Sequence, residues 1–252
     1  MQIVRFRVDG KTRYGALDGA GVVEYTGTPW SLFRRGRRRY PLRRVVLLAP
    51  VLPGKIVGVG LNHPLHELAH GRNVPGEPPL FFKPISALIG PDDFIMTPPR
   101  CAHLECEATL GVVMKRRCHN VPAARAREYV LGYAALNDVT ARDVEARDGD
   151  WTRAKAFDTF CPVGPCIATD IDPNAAEVET WVNGERRQAG SAKGFIFPVE
   201  DVIARVSAVM TLLPGDVIAT GTPAGVGPLE PGDRVEVRID GIGTLKNPVI
   251  KL

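Results

Sequence analysis

Polar and apolar residues alternate from the start of the chain. Gln2-Ile3-Val4-Arg5-Phe6-Arg7-Val8 has the period of two that a half-buried strand requires. The Asp9-Gly10 turn and the run from Arg13 to Leu17 predict a hairpin, and Asp18-Gly19 with Gly21 turns the chain into a third strand at Val22 to Tyr25. The alternation lapses over the arginine-rich residues 33–40, read as a solvated loop, and resumes over Val45 to Val51. A boundary before Pro53-Gly54 divides a small N-terminal β subdomain, residues 1–52, from a larger domain, residues 53–252. Buried strands are predicted at residues 55–60, 80–84, 86–90 and 110–114. The segment from Asn62 to Asn73 is polar and rich in histidine, a short helix or a mobile loop. Helices are predicted over Ala123 to Val130, with Pro122 in the first turn, and over Val199 to Thr211, where Val202, Ile203, Val206, Val209 and Met210 fall at helical spacing. Further strands close the chain. Twenty-six Gly and twenty-two Pro punctuating short strands indicate a β-rich α+β fold, not a βαβ repeat.

Composition narrows the class. With 252 residues, 44% hydrophobic and 24% charged, the chain has the balance of a soluble globular protein. No apolar run reaches the roughly 18 residues of a membrane span, and the N-terminus lacks the apolar core of a signal peptide, so a cytoplasmic protein without a membrane partner is expected. Five scattered cysteines match no zinc pattern and read as reduced, mostly buried side chains. The net charge of +4 is uneven: residues 1–50 hold eleven Lys/Arg against three Asp/Glu, or +8, which leaves 4 − 8 = −4 for the remainder. The run from Arg34 to Arg39 has the charge to touch nucleic acid. Without stacking aromatics at strand spacing it reads instead as solvated surface, and no nucleic-acid partner is expected.

Four stretches carry residues fit for chemistry. In His103-Leu104-Glu105-Cys106-Glu107 a strand would put His103, Glu105 and Glu107 on one face, with Thr109 next; two carboxylates so placed either face water or share a hard cation. Asp138 ends an apolar run, so its carboxylate needs a partner: a metal ion, a helix cap or Arg142. Lys155 stands in an aromatic, Gly/Pro-rich stretch, either as a point charge for a carboxylate or enolate or simply exposed. Thr220-Gly221-Thr222-Pro223-Ala224-Gly225 is a turn able to present backbone N–H groups and a hydroxyl to an anion, without the spacing of a phosphate loop.

Taken together and in order, LFFKP (80–84), the H-x-E-x-E segment (103–107), GYAALNDVTARD (132–143), WTRAKAFDTFCPVGP (151–165), VNGERRQ (182–188), MTLLPGDVIATGTPAGVG (210–227) and GIGTLKNPV (241–249) resemble the fumarylacetoacetate hydrolase family over residues 54–250. The first 52 residues resemble the N-terminal extension of one prokaryotic branch. The resemblance implies a β-sandwich-like roll, a homodimer, and one Mg²⁺ or Mn²⁺ ion held by Glu105, Glu107 and Asp138. It implies a small 2-oxo or 2,4-dioxo acid as substrate, with Lys155, Arg142 and Thr222 around it, Gly221 in the adjoining turn and Lys83 nearby. Enolate chemistry follows, as in 2-hydroxyhepta-2,4-diene-1,7-dioate isomerase/decarboxylases or acylpyruvate hydrolases; an oxaloacetate-type decarboxylase and a catalytically decayed binding protein are the alternatives.

Two departures from the family pattern bear on this. Aligning backwards from Leu110 would put Thr109 on a ligand position in place of Glu105. The H-x-x-E dyad that activates water in hydrolytic relatives has His66 but Ala69 here, with Glu67 one residue beyond His66. His66 is the expected acid or base, with Glu67 the substitute carboxylate, and the missing Glu shifts the expectation from hydrolysis toward tautomerisation or decarboxylation.

Overall fold

The computed structural model describes residues 1–64 and 76–252. The N-terminal strands β1 (Gln2–Val8), β2 (Lys11–Asp18), β3 (Gly21–Thr26) and β4 (Arg34–Pro41) form an antiparallel meander. Its first turn has positive φ at both Asp9 and Gly10, the type I′ geometry that matches the twist of paired strands. After β5 (Val46–Leu48) come β6 (Ile56–Val59), β7 (Leu80–Lys83), β8 (Leu88–Ile89), β9 (Ile95–Thr97), β10 (Leu104–Cys106) and β11 (Ala108–Met114). The chain continues through β12 (Val130–Asn137), β13 (Thr140–Ala141), α1 (Arg142–Asp148), α2 (Trp151–Lys155) and β14 (Cys161–Ala168). Last are β15 (Glu177–Val182), β16 (Glu185–Ser191), α3 (Val199–Val209), β17 (Val217–Ala219), β18 (Gly227–Leu229), β19 (Arg234–Ile239) and β20 (Gly243–Lys251). The predicted β-rich α+β fold is the observed one.

The strands make three sheets. The largest runs β4-β3-β2-β1-β14-β12-β11-β17-β6-β7, with β5 and β8 off the main path. A five-stranded sheet runs β16-β15-β19-β20-β9, and a small one β13-β10-β18. In β11 and β12 successive residues enter different cores. Leu110, Val112, Met114, Tyr133 and Ala135 share one with Val178, Val237 and Leu245 of the five-stranded sheet and with α3, while Val113, Ala134 and Leu136 enter a second. These strands are covered on both faces, which is why they read as continuous apolar runs. Val4, Phe6 and Val22 enter the first core too, so the N-terminal meander is built into the main sheet through the β1–β14 pairing.

Four local expectations are corrected. Residues 34–41 are an edge strand, not a loop: β4 pairs with β3 alone among the described residues, and its arginines stand beyond the core on both faces, which erases the alternation. Residues 123–129 wind as a 3₁₀-helix, not an α-helix. In residues 86–90 a 3₁₀ turn over Ile85–Ala87 leaves only the two-residue β8. The acidic segment 103–109 is not one strand, because the chain passes from the small sheet to the large one at Glu107. The sequence segment from Asn62 to Asn73 falls largely in residues 65–75, outside the described residues.

Arg35 and Arg39 pair with Asp18, whereas Arg34, Arg37 and Arg38 make no ion pair among the described residues. Cations on an open edge oppose pairing with another chain. Replacing Arg37 and Arg38 with threonine is expected to change stability by no more than ~0.5 kcal/mol while lowering the concentration at which light scattering detects self-association. Unchanged scattering would show that the charges do not protect this edge.

Candidate active site

The acidic residues are placed by the small sheet. Its strands alternate: Leu104 and Cys106 of β10, Ala141 of β13 and Leu229 of β18 point into a third core with Val139, Val144, Ala154 and Phe160. The residues between them, Glu105, Glu107, Asp138, Thr140 and Arg142, are thereby turned the other way. Register adds precision: Glu105 lies opposite Thr140. Glu107 immediately precedes β11 and Asp138 immediately follows β12, the two being joined by a hydrogen bond from Asp138 N to Glu107 O of 2.9 Å.

Three cations meet these carboxylates. Arg142 donates to Glu105 at 2.8 Å, to Glu107 at 2.5 Å and to Glu145 at 2.5 Å. The Lys155 Nζ reaches Glu107 Oε2 at 2.9 Å, Asp138 Oδ2 at 2.8 Å and Thr140 Oγ1 at 2.7 Å. The Lys83 Nζ takes the other Asp138 oxygen at 2.5 Å and Val139 O at 3.2 Å. Burial alone would discharge Lys155, but Asp138 and Glu107 outweigh it and hold its pKa above the ordinary lysine value. The same contest keeps Arg142 charged: burial opposes the guanidinium, and Glu107, Glu145 and Glu105 favour it. Burial pushes the Cys106 and Cys161 thiols up to about 12, so neither supplies a thiolate nucleophile at neutral pH.

A cavity of about 30 Å³ lies against this network. Glu107, Asp138, Arg142 and Lys155 form its polar wall, while Gly221, Thr222, Leu61 and Asn62 line it with Phe81 and Trp151. Asn62 fixes the opposite side by donating to Thr220 O at 2.7 Å and accepting from Phe197 N at 2.8 Å. Trp151 donates to Glu145 at 3.1 Å and meets Phe81 edge-on. A side chain at Gly60 would collide with the Trp151 ring, its Cβ falling 2.3 Å from a ring carbon. Outside lies a wider mouth of about 440 Å³, lined by Leu61, Arg142, Glu145, Ala146, Gly149 and Trp151.

Of the predicted site residues, Glu107, Asp138, Arg142, Lys155, Gly221 and Thr222 therefore face one cavity, and Glu105 joins them through Arg142. Lys83, expected near the substrate, does not line the cavity; it is fully buried behind Asp138, a position that does not fit a substrate-binding role. His103 is exposed and does not line the cavity. Thr109 is buried in β11 with its hydroxyl on Glu107 O at 3.1 Å, away from the cavity. His66 and Glu67 lie outside the described residues. Sequence reasoning missed Glu145, Trp151, Asn62 and Gln188. For Glu145 the signal was there: it stands three residues from Arg142, one helical turn.

The cluster also bears on a divalent cation. Among the described residues no three His, Cys, Asp or Glu side chains stand ready to share an ion, since Arg142 and Lys155 hold the carboxylates. The donor chemistry nevertheless fits. Four carboxylates (Glu105, Glu107, Asp138, Glu145) meet three cations (Arg142, Lys83, Lys155), a balance of −4 + 3 = −1. All the donors are oxygens, which suit Mg²⁺ or Mn²⁺.

A β-rich fold that closes a small cavity over buried acidic and cationic groups defines a class of small-molecule enzyme, and the comparisons with known proteins name it. Residues 55–250 match the fumarylacetoacetate (FAA) hydrolase C-terminal family and residues 1–50 the Rv2993c-like N-terminal family. Protein Rv2993c of Mycobacterium tuberculosis is 48% identical over 92% of this chain and 84% of its own. The mitochondrial oxaloacetate tautomerase Fahd2a of Rattus norvegicus is 38% identical over 83% of this chain and 71% of its own. A crystal structure of 5-carboxymethyl-2-hydroxymuconate delta-isomerase from Mycobacterium smegmatis superposes with a TM-score of 0.94 at 42% identity, covering both chains completely. Maleylpyruvate hydrolase from Sphingobium sp. SYK-6, in complex with manganese and pyruvate, superposes at 0.83 with 31% identity over 100% of this chain and 99% of its own. The chain belongs to the fumarylacetoacetate hydrolase family of enzymes.

The position of Thr109 generates a test. Thr109→Val removes a hydroxyl whose one acceptor among the described residues is the Glu107 carbonyl, at a cost of about 1 kcal/mol. Mn²⁺ affinity, measured by titration calorimetry, is expected to stay within about twofold of the parent; a loss well beyond the roughly 100-fold that an outer-sphere change can cost would make Thr109 a ligand.

Proposed function

We propose that this chain is a divalent-metal-dependent enzyme that acts on a small 2-oxo or 2,4-dioxo carboxylic acid through its enolate. The observation that carries this is the single cavity in which Glu107 and Asp138 adjoin Lys155 and Arg142, with Thr222 among its lining residues. The named activities of relatives support it: a hydroxymuconate isomerase, an oxaloacetate tautomerase and a hydrolase bound to manganese and pyruvate.

Glu105, Glu107 and Asp138 are the residues that would hold the ion. When bound, Mg²⁺ or Mn²⁺ supplies Lewis acidity to a 2-oxo group. The Lys155 ammonium, desolvated by Phe81 and Trp151, opposes the negative charge of an enolate where that charge develops. Arg142 orients Glu105 and Glu107. Thr222 and the Gly221 backbone offer polar groups to the substrate's carboxylate. The wider mouth, with the Trp151 ring and Leu61, receives the remainder of the substrate.

Between reactions, the sequence favours a proton shift or decarboxylation. Ala69 lacks the carboxylate that orients His66 toward water in hydrolytic relatives, and a proton shift needs no activated water.

The test uses metal-stripped protein reloaded with Mg²⁺ or Mn²⁺ and a panel of 2-oxo acids, following ultraviolet loss of the enol. Outer-sphere changes alone cost metal sites roughly 10–100-fold in affinity, so Glu107→Gln and Asp138→Asn should lower Mn²⁺ affinity by at least about tenfold and abolish turnover. Undiminished Mn²⁺ affinity in both variants would place the ion elsewhere. Failure of the parent to bind any divalent ion would favour a decayed, binding-only relative.

We also propose a homodimer. Phe82, Ile85 and Phe94 are each more than half exposed within one stretch of the chain, a density of large apolar side chains that suits an interface. Phe82→Glu with Phe94→Glu should move the protein to monomer in sedimentation velocity; a parent that is already monomeric at micromolar concentration would refute the dimer.

A further inference from the structure

Gln188 is buried on β16 and does not line the cavity, yet its amide joins both walls of the site. The β15–β16 hairpin that carries it is closed by Asn183 and Gly184, both at positive φ. Its Oε1 accepts from Ala108 N at 3.2 Å and from the Thr180 hydroxyl at 2.5 Å. Its Nε2 donates to Thr222 Oγ1 at 3.0 Å and to Pro223 O at 2.9 Å. The direction of these bonds is fixed twice over. A backbone N–H only donates, so Oε1 must face Ala108; a carbonyl oxygen only accepts, so the NH₂ must face Pro223. Thr222 Oγ1 is therefore an acceptor toward Gln188, and its own proton must point elsewhere. Among the described residues that proton has no acceptor in the protein, and Thr222 lines the cavity.

We propose that Gln188 is a positioning residue that sets the polarity of the Thr222 hydroxyl, making it a dedicated hydrogen-bond donor to an anionic oxygen of the ligand. This rests on the 2-oxo acid reading above. A hydroxyl free to rotate serves donors and acceptors alike; one whose lone pair already accepts from Gln188, and whose proton is thereby turned toward the cavity, favours a carboxylate or enolate oxygen over a neutral hydroxyl at the same place. Through Ala108 the same amide also anchors the residue after Glu107, so the donor and the acidic wall keep a fixed spacing.

The probe is oxalate, titrated calorimetrically into protein supplied with Mn²⁺. Loss of a hydrogen bond to a charged group weakens binding by roughly 10–100-fold, so Thr222→Val should weaken oxalate by that factor while Thr222→Ser stays within about threefold of the parent. Gln188→Met should weaken oxalate in the parent background and have no further effect, within about twofold, in the Thr222→Val background, as a shared interaction requires. A second arm needs no change at position 188: in ¹⁵N NMR spectra Thr222→Val should move one Gln188 side-chain amide proton upfield as its acceptor disappears. Equal oxalate binding by parent and Thr222→Val would overturn this inference alone, as would equal losses from Gln188→Met in both backgrounds or an unmoved amide signal. A parent that binds no oxalate with Mn²⁺ would overturn the 2-oxo acid reading and this inference with it.

Discussion

Carboxylates leave water only where cations replace it, and the Lys155 ammonium is where this fold meets that demand. Its three oxygen partners come from three places: Glu107 at the entry to β11, Asp138 at the exit of β12 and Thr140 in the small sheet. Lys155 itself arrives on α2, a single helical turn whose N-cap Asp150 accepts from Thr152 N. Breaking one member of a buried pair leaves the other uncompensated, at a typical cost of about 3–5 kcal/mol. The packing of α2 against β7, the split between the two sheets at Glu107 and the shape of the cavity are thus tied to one charge.

That constraint explains which parts of the molecule were legible in sequence. Strand periodicity was plain in β1, β2 and β11 because the core is sided or continuous there. It failed at β4, where exposed arginines on both faces imitate a loop. It also failed at 103–109, where the two-residue period runs unbroken through Glu107 although the chain changes sheets at that residue. The acidic residues, Lys155 and Arg142 were found through their motifs. Gln188 was not, because nothing in VNGERRQ distinguishes a solvated glutamine from one whose four hydrogen bonds are all made inside the fold. Such a residue becomes visible only when donors and acceptors are counted in three dimensions.

The N-terminal meander shows the same limit at the scale of domains. Its sequence match ends at residue 50 and the next begins at 55. In space β1 pairs with β14, and Phe6 shares a core with Leu110. β14 in turn begins six residues after Lys155, so the extension braces the strand that follows the site's lysine. A unit that is modular in sequence is here part of the sheet that supports the cavity.

Lys83 and Lys155 divide the work that the two oxygens of Asp138 require. Both are buried, but only Lys155 lines the cavity; Lys83 also holds a backbone group, Val139 O. The charge of Lys83 is accordingly committed to the fold. It holds one Asp138 oxygen, Oδ1, while the other, Oδ2, accepts from Lys155, the ammonium that lines the cavity. Among the described residues Lys155 donates to side chains alone, Glu107, Asp138 and Thr140, and the first two are proposed ligands of the ion. Of the two ammoniums, therefore, Lys155 is the one that the proposed substrate would meet, and Lys83 is the one that would keep a partner on Asp138 if Lys155 turned to that substrate.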